Sequence, residues 1–192
     1  MLEFLIGTAD IRGDYRYSLT RVWDRALPTV TFVLLNPSTA DAVSLDRTLR
    51  RCVGFAKREQ FGGMLILNIY AFRTPYPKVM KAAADPVGPG NDRVLSEVTG
   101  TVIAGWGTNA DSTRVTQALT LLPRLHALGV TKEGHPRHPL YVPSDAPLIE
   151  WTPNGTAPRP RLTVLEVDHC GDRHVPRHSP TPKVGVAGLL HR

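Results

Sequence analysis

Two short segments carry the side chains best suited to chemistry. The first reads Asn36-Pro37-Ser38-Thr39-Ala40-Asp41, with Asp46 a little further on. Proline fixes its own φ and keeps the preceding residue extended, so Pro37 would hold the Asn36 amide in one orientation, where it could position a water or hydrogen-bond a ligand. Ser38 and Thr39 at the start of a helix could hold an anion through free backbone N–H groups. One of Ser38, Thr39 and Asp41 is also expected to cap that helix. The second segment reads Gly134-His135-Pro136-Arg137-His138-Pro139-Leu140-Tyr141. A neutral imidazole can donate a hydrogen bond to a developing oxyanion, and a charged one can act as an acid. Arg137 between the two histidines suits a phosphate.

Other residues could join them. Asn68 lies inside the apolar run Met64-Leu65-Ile66-Leu67-Asn68-Ile69-Tyr70. A buried amide there needs a partner, which could be a neighbouring loop or the edge of a flat ligand. Tyr70 and Phe72 could stack on such a ligand or belong to the core. Arg73 is a second phosphate candidate. Gly105-Trp106-Gly107 reads as a tight turn, with Trp106 either packed or lining a pocket. His169, Cys170, His174 and His178 are metal-ligand types, but their spacing fits no zinc pattern, so no metal and no cofactor are expected. No Walker sequence, nucleophile elbow or dinucleotide fingerprint is present.

These segments need a scaffold, and the apolar pattern supplies one. Residues 30–35, 64–70, 101–105 and 124–130 are short apolar runs bounded by turn signals, as expected of buried strands. Residues 15–23 alternate and read as an edge strand. Leu45, Leu49, Val53 and Ala56 fall on one face of a helix over 41–60, and Gly62-Gly63 ends it. Further helices are expected over 91–98 and after Asp111 or Ser112, and the Pro-rich stretch 74–89 reads as a loop. Strand–helix alternation of this kind predicts an α/β fold: three α/β/α layers around a central, mainly parallel four-stranded sheet. Ligands of open sheets bind beyond the carboxyl ends of the strands, which selects the loops 36–46, 68–74, 106–111 and 131–141. The domain is expected to span residues 1–150, followed by a C-terminal extension, 151–192, rich in Pro and Gly, with one further strand over 162–167.

The chain has 192 residues, 42% hydrophobic and 21% charged, with a formal net charge of +6. That suits one domain with a sizeable core, and the basic excess favours anionic partners such as nucleic acid or nucleotides. Two cysteines, the absence of a signal-like segment and the absence of any long apolar stretch predict a cytoplasmic protein without membrane contact. Oligomeric state cannot be read from these features.

The four motifs ending the runs, namely 35–41, 68–73, 104–107 and 134–141, resemble DUF1643, a family of bacterial and phage proteins without an established activity. More distantly, they resemble the uracil-DNA glycosylase superfamily. That second resemblance implies a base pocket in which Asn36 orients water with Asp41 or Asp46 as acidic substitutes, Asn68 reads the base edge, and His138 or His135 steadies charge on the departing base. The aromatic that would stack on the base has no assigned counterpart, and the cluster-ligating cysteines of some branches are missing. The implied function is recognition of a nucleobase or nucleotide, with hydrolysis of an N-glycosidic bond in modified or mismatched DNA. Its rivals are a non-catalytic nucleotide or nucleic-acid binding module and an enzyme acting on free modified nucleotides.

Overall fold

The structure, a computed structural model, describes residues 4–38 and 45–153. Expectations for Thr39, Asp41, the strand over 162–167 and the His/Cys cluster of 169–178 lie outside the described residues, as does the C-terminal extension beyond Pro153.

The described residues form one seven-stranded mixed sheet. Its strands are β1 (Ile6–Arg12), β2 (Tyr15–Val22), β3 (Thr29–Leu34), β4 (Gly63–Asn68), β5 (Val102–Ala104), β6 (Leu125–Ala127) and β7 (Ile149–Trp151), in the order β1-β2-β4-β3-β5-β6-β7. The inner pairings β4–β3, β3–β5 and β5–β6 are parallel. The pairings β1–β2, β2–β4 and β6–β7 are antiparallel. This corrects the expectation of a four-stranded, mainly parallel sheet: there are three more strands, and half of the six pairings are antiparallel. It also moves β2 off the edge, because β1 covers it.

The reason lies in burial. Residues 30–34 of β3 are all buried, so this strand is apolar on both faces and stands out in the sequence. Strand β1 is exposed or half-buried throughout, and β7 is only three residues long, so neither leaves an apolar run to read.

Helix α1 (Arg47–Arg58) packs Leu49, Cys52, Val53, Phe55 and Ala56 against Phe32, Leu34, Met64 and Ile66 on one face of the sheet. The opposite face is covered by α2 (Pro77–Ala82), α3 (Asn91–Ser96) and α4 (Ser112–Leu121), which contribute Met80, Leu95 and Ala118 to a core with Val33, Leu67, Ala104 and Trp151. Helix α2 falls within the Pro-rich stretch expected to be a loop; Pro77 sits in its first turn, where the missing N–H costs nothing. Helix α1 starts later than its apolar spacing suggested. Its cap is Asp46, whose Oδ1 accepts from Leu49 N at 2.8 Å, and not Ser38. No helix among the described residues is long and apolar enough to cross a membrane.

Candidate functional site

The site is assembled where β3, β4 and β5 end. Beyond β3, the ladder continues into the loops: Ile69 N donates to Leu34 O and Tyr70 N to Leu35 O. The loops after β3 and β4 are then clamped together. Thr74 N donates to Pro37 O at 2.9 Å, and Asn36 Nδ2 donates to Thr74 O at 2.7 Å and to Pro37 O at 3.2 Å. Both donor hydrogens of Asn36 are therefore committed to backbone, and its Oδ1 remains as the available function.

The histidine loop is held on four sides. Val130 and Pro136 form an antiparallel bridge, and Arg137 N donates to Gly129 O. Trp151 Nε1 donates to Gly134 O at 3.0 Å. Gly107 N donates to Pro136 O at 3.0 Å, with Gly107 at φ +72°, a conformation that favours glycine. Arg51, from α1, donates to Pro139 O and Val142 O while its guanidinium lies 4.8 Å over the Phe55 ring. Gly105 lets this loop approach: a Cβ there would sit 2.9 Å from Pro139 Cδ and 3.0 Å from Leu34 Cδ2.

Between these loops lies a cavity of about 430 Å³, within the range of roughly 300–1,000 Å³ common for small-molecule sites. Of the sequence-derived candidates, Asn36, Ser38, Trp106, Arg137 and His138 line it, and Thr48, Thr74, Asn109, Thr131 and Tyr141 contribute as well.

His138 is half-buried, and its Nδ1 accepts from Leu140 N at 3.3 Å. That bond places the ring proton on Nε2. Burial lowers the imidazole's pKa from its usual 6.5, and the Asp46 carboxylate opposes the shift in part. The ring is thus neutral at pH 7, a hydrogen-bond donor and not an acid. Arg137 is exposed at the rim. Trp106 is 1% exposed and sits edge-on to Trp151 with ring centroids 5.4 Å apart, so it is both wall and core.

The remaining candidates lie elsewhere. Asp46 does not line the cavity. Its Oδ2 accepts from Ser38 Oγ at 2.5 Å and its Oδ1 caps α1, so both oxygens are engaged. His135 is not among the lining residues; its backbone N–H donates to Thr131 Oγ1. Tyr70 is buried, with its hydroxyl accepting from Asp111 N, and Phe72 packs edge-on to Tyr15. Arg73 is half-buried. Asn68 is 2% exposed, its Oδ1 accepts from Arg16 at 3.4 Å, and its Nδ2 has no partner among the described residues. Asn68 does not line the cavity, and Arg16 engages one of the two lone pairs of its oxygen.

Sequence reasoning missed three contributors. Arg16 is a buried cation, with its pKa lowered to about 10 chiefly by burial, opposed by Asp46 and deepened by Arg73 and Arg21. Its alternating strand concealed it among residues expected to face water. Arg51 lies off the apolar stripe of Leu45, Leu49, Val53 and Ala56 by which its helix was recognised. Thr74 looked like loop, although the Asn36–Thr74 clamp depends on it. Among the described residues, no group of three His, Cys, Asp or Glu side chains could hold a metal ion.

Fold and site together define a mixed α/β protein with a small-molecule-sized cavity beyond the carboxyl ends of its parallel strands. The DUF1643 family, described as a protein of unknown function, matches residues 16–140, and the chain belongs to it. Every residue lining the cavity except Tyr141 falls inside that match. No curated protein and no solved structure matches the chain.

Proposed function

We propose that the chain recognises a nucleobase or nucleotide in this cavity. One observation carries the reading: Asn36, whose Oδ1 is left as an acceptor, and His138, whose neutral ring carries its proton on Nε2, line the same cavity with Arg137 at its rim. Bases carry donors and acceptors together on one flat edge, and a nucleotide adds a phosphate for arginine. The chemistry this arrangement favours is hydrolysis of an N-glycosidic bond. Asn36 Oδ1 would orient a water towards the sugar's anomeric carbon. The base would leave with the electron pair of the C–N bond, and the His138 Nε2–H would hydrogen-bond the charge building on it. The water's oxygen ends on the sugar and one of its protons ends in solvent or on the base.

A second reading, binding without turnover, is favoured by Asp46. The carboxylate that would have served as a base is occupied by Ser38 and the α1 backbone. The two readings separate in one set of assays. Nucleobases, nucleosides and nucleotides are titrated by calorimetry, and base release is measured from DNA containing modified or mismatched bases. Catalysis predicts release that His138→Ala abolishes while binding survives. Binding alone predicts affinity that Asn36→Ala weakens, with no release. Absence of both binding and release would remove the proposal.

A further inference from the structure

The cavity shares a wall with a second concavity. Helix α1 and the segment 139–144 run side by side, joined by Arg51. One side of this wall gives Thr48 and Tyr141 to the cavity. The other opens as a shallow groove of about 510 Å³ that includes Arg47, Arg50 and Arg51 with Leu140 and Val142.

The charges in this groove are not balanced. Residues 47–58 carry no acid, and Arg47 and Arg50 are exposed. Neither guanidinium group makes an ion pair or hydrogen bond among the described residues, whereas Arg51 is tied to two carbonyls and Arg58 to Glu59 and Ser144 O. Two free guanidinium groups one helical turn apart repel each other and attract anions with several oxygens. An open groove suits an extended anion better than a compact one. A phosphate on a nucleotide in the cavity would already meet Arg137 at the rim. The wall separates Arg47 and Arg50 from it, so they would meet phosphates further along a chain.

We propose that this groove binds the phosphodiester backbone of a nucleic-acid strand, one of whose nucleotides enters the neighbouring cavity. The inference rests on the reading of the cavity given above, and it narrows the ligand from a free nucleotide to a strand.

The test uses the full chain. Binding of labelled single-stranded DNA and RNA oligonucleotides is followed by fluorescence anisotropy between 50 and 200 mM salt. Binding of nucleosides and nucleoside monophosphates is followed by calorimetry. Each single-strand phosphate contact contributes about 0.7 to the slope of log affinity against log salt. Arg47→Gln with Arg50→Gln should therefore reduce that slope by about 1.4, which shrinks the wild-type advantage about sevenfold across the salt range. Nucleoside binding should stay unchanged. Arg47→Lys with Arg50→Lys should keep most of the affinity, and thermal melting checks that every variant is folded. Unchanged oligonucleotide affinity and slope in the glutamine variant would overturn the groove. If oligonucleotides bind through Arg47 and Arg50 while no nucleoside or nucleotide binds, the groove stands and the cavity reading falls. A preference for DNA or for RNA identifies the source of the backbone, and failure of both to bind overturns the proposal.

Discussion

Replacing Arg51 by alanine should loosen the histidine loop without unfolding the protein. The guanidinium is half-buried between α1 and the segment after His138, and it donates to Val142 O, to Pro139 O at 3.4 Å, and lies over Phe55 at 4.8 Å. A hydrogen bond from a charged group contributes about 1.5–3 kcal/mol. The Pro139 contact is long enough to add little. Cation–π stacking at a partly exposed site adds about 0.5–1 kcal/mol. The loss should therefore be about 2–4 kcal/mol, which a domain of typical stability, about 5–15 kcal/mol, survives. Lysine keeps the charge but not the fork that reaches two carbonyls, so Arg51→Lys should lose about half as much. Urea unfolding gives the global loss. Hydrogen exchange gives the local one: the Leu140 N–H bound to His138 Nδ1 and the Tyr141 N–H bound to His138 O should lose protection before the strands do. If Arg51→Ala costs less than about 0.5 kcal/mol, the range of an ordinary surface change, and exchange in 138–142 is unaltered, the latch does not exist.

Two neighbouring glycines should fail for different reasons. Gly105→Ala meets Pro139 and Leu34 at about 3 Å and should cost about 1–3 kcal/mol by overpacking. Gly107→Ala has room but a φ of +72°, and should cost about 1–2 kcal/mol through the left-handed backbone; replacing Leu34 with valine as well should relieve the Leu34 contact of the first while its Pro139 contact remains, and should change nothing for the second, in urea unfolding. Asn36→Asp removes both donors facing Thr74 O and Pro37 O and sets a carboxylate against two carbonyls, so ligand affinity and stability should both fall, stability by about 2 kcal/mol or more, with Asn36→Ala the milder variant by the same measurements. Burial lowers the pKa of both His138 and His126 below the usual 6.5; the unfolded chain then binds more protons between the folded values and 6.5, so stability is complete above 6.5 and declines as pH falls through that window. Urea midpoints at pH 7.5 and 5.5 should show the decline, and His138→Asn should reduce it.

The inner strands could be read from the sequence because they are buried on both faces, which leaves unbroken apolar runs such as residues 30–35 and 64–70. Their ends could be read for the same reason: Asn36, Trp106 and the histidine loop follow the runs directly. What could not be read depends on partners distant in the chain. Strand β1 exists because β2 offers an open edge, and nothing in its half-exposed residues reports that. Asp46 and Asp41 were equivalent acidic candidates for the site on paper, and the cap was sought among Ser38, Thr39 and Asp41; the first turn of α1 begins at Arg47, which makes Asp46 the cap. Asn68 was read as a buried amide needing either a neighbouring loop or a ligand edge, and the partner it finds, Arg16, lies 52 residues away.

Two of the polar side chains lining the cavity, Asn36 and His138, share one design feature: each has spent half of its hydrogen-bonding capacity on backbone. Thr74 O and Pro37 O hold the Asn36 amide group, and Leu140 N–H holds His138 Nδ1. Each side chain is thereby fixed in orientation and restricted to one polarity, acceptor for Asn36 and donor for His138. A ligand that cannot donate to the first, or accept from the second, leaves a desolvated group unmatched at a cost of about 1–3 kcal/mol, roughly tenfold or more in affinity. Selection by mismatch needs no charge at the contact. If a base occupies this cavity, methylating its donor, or removing its acceptor, should weaken binding more than moving its phosphate, because the exposed Arg137 side chain has rotatable bonds with which to follow the phosphate and the two anchored groups do not.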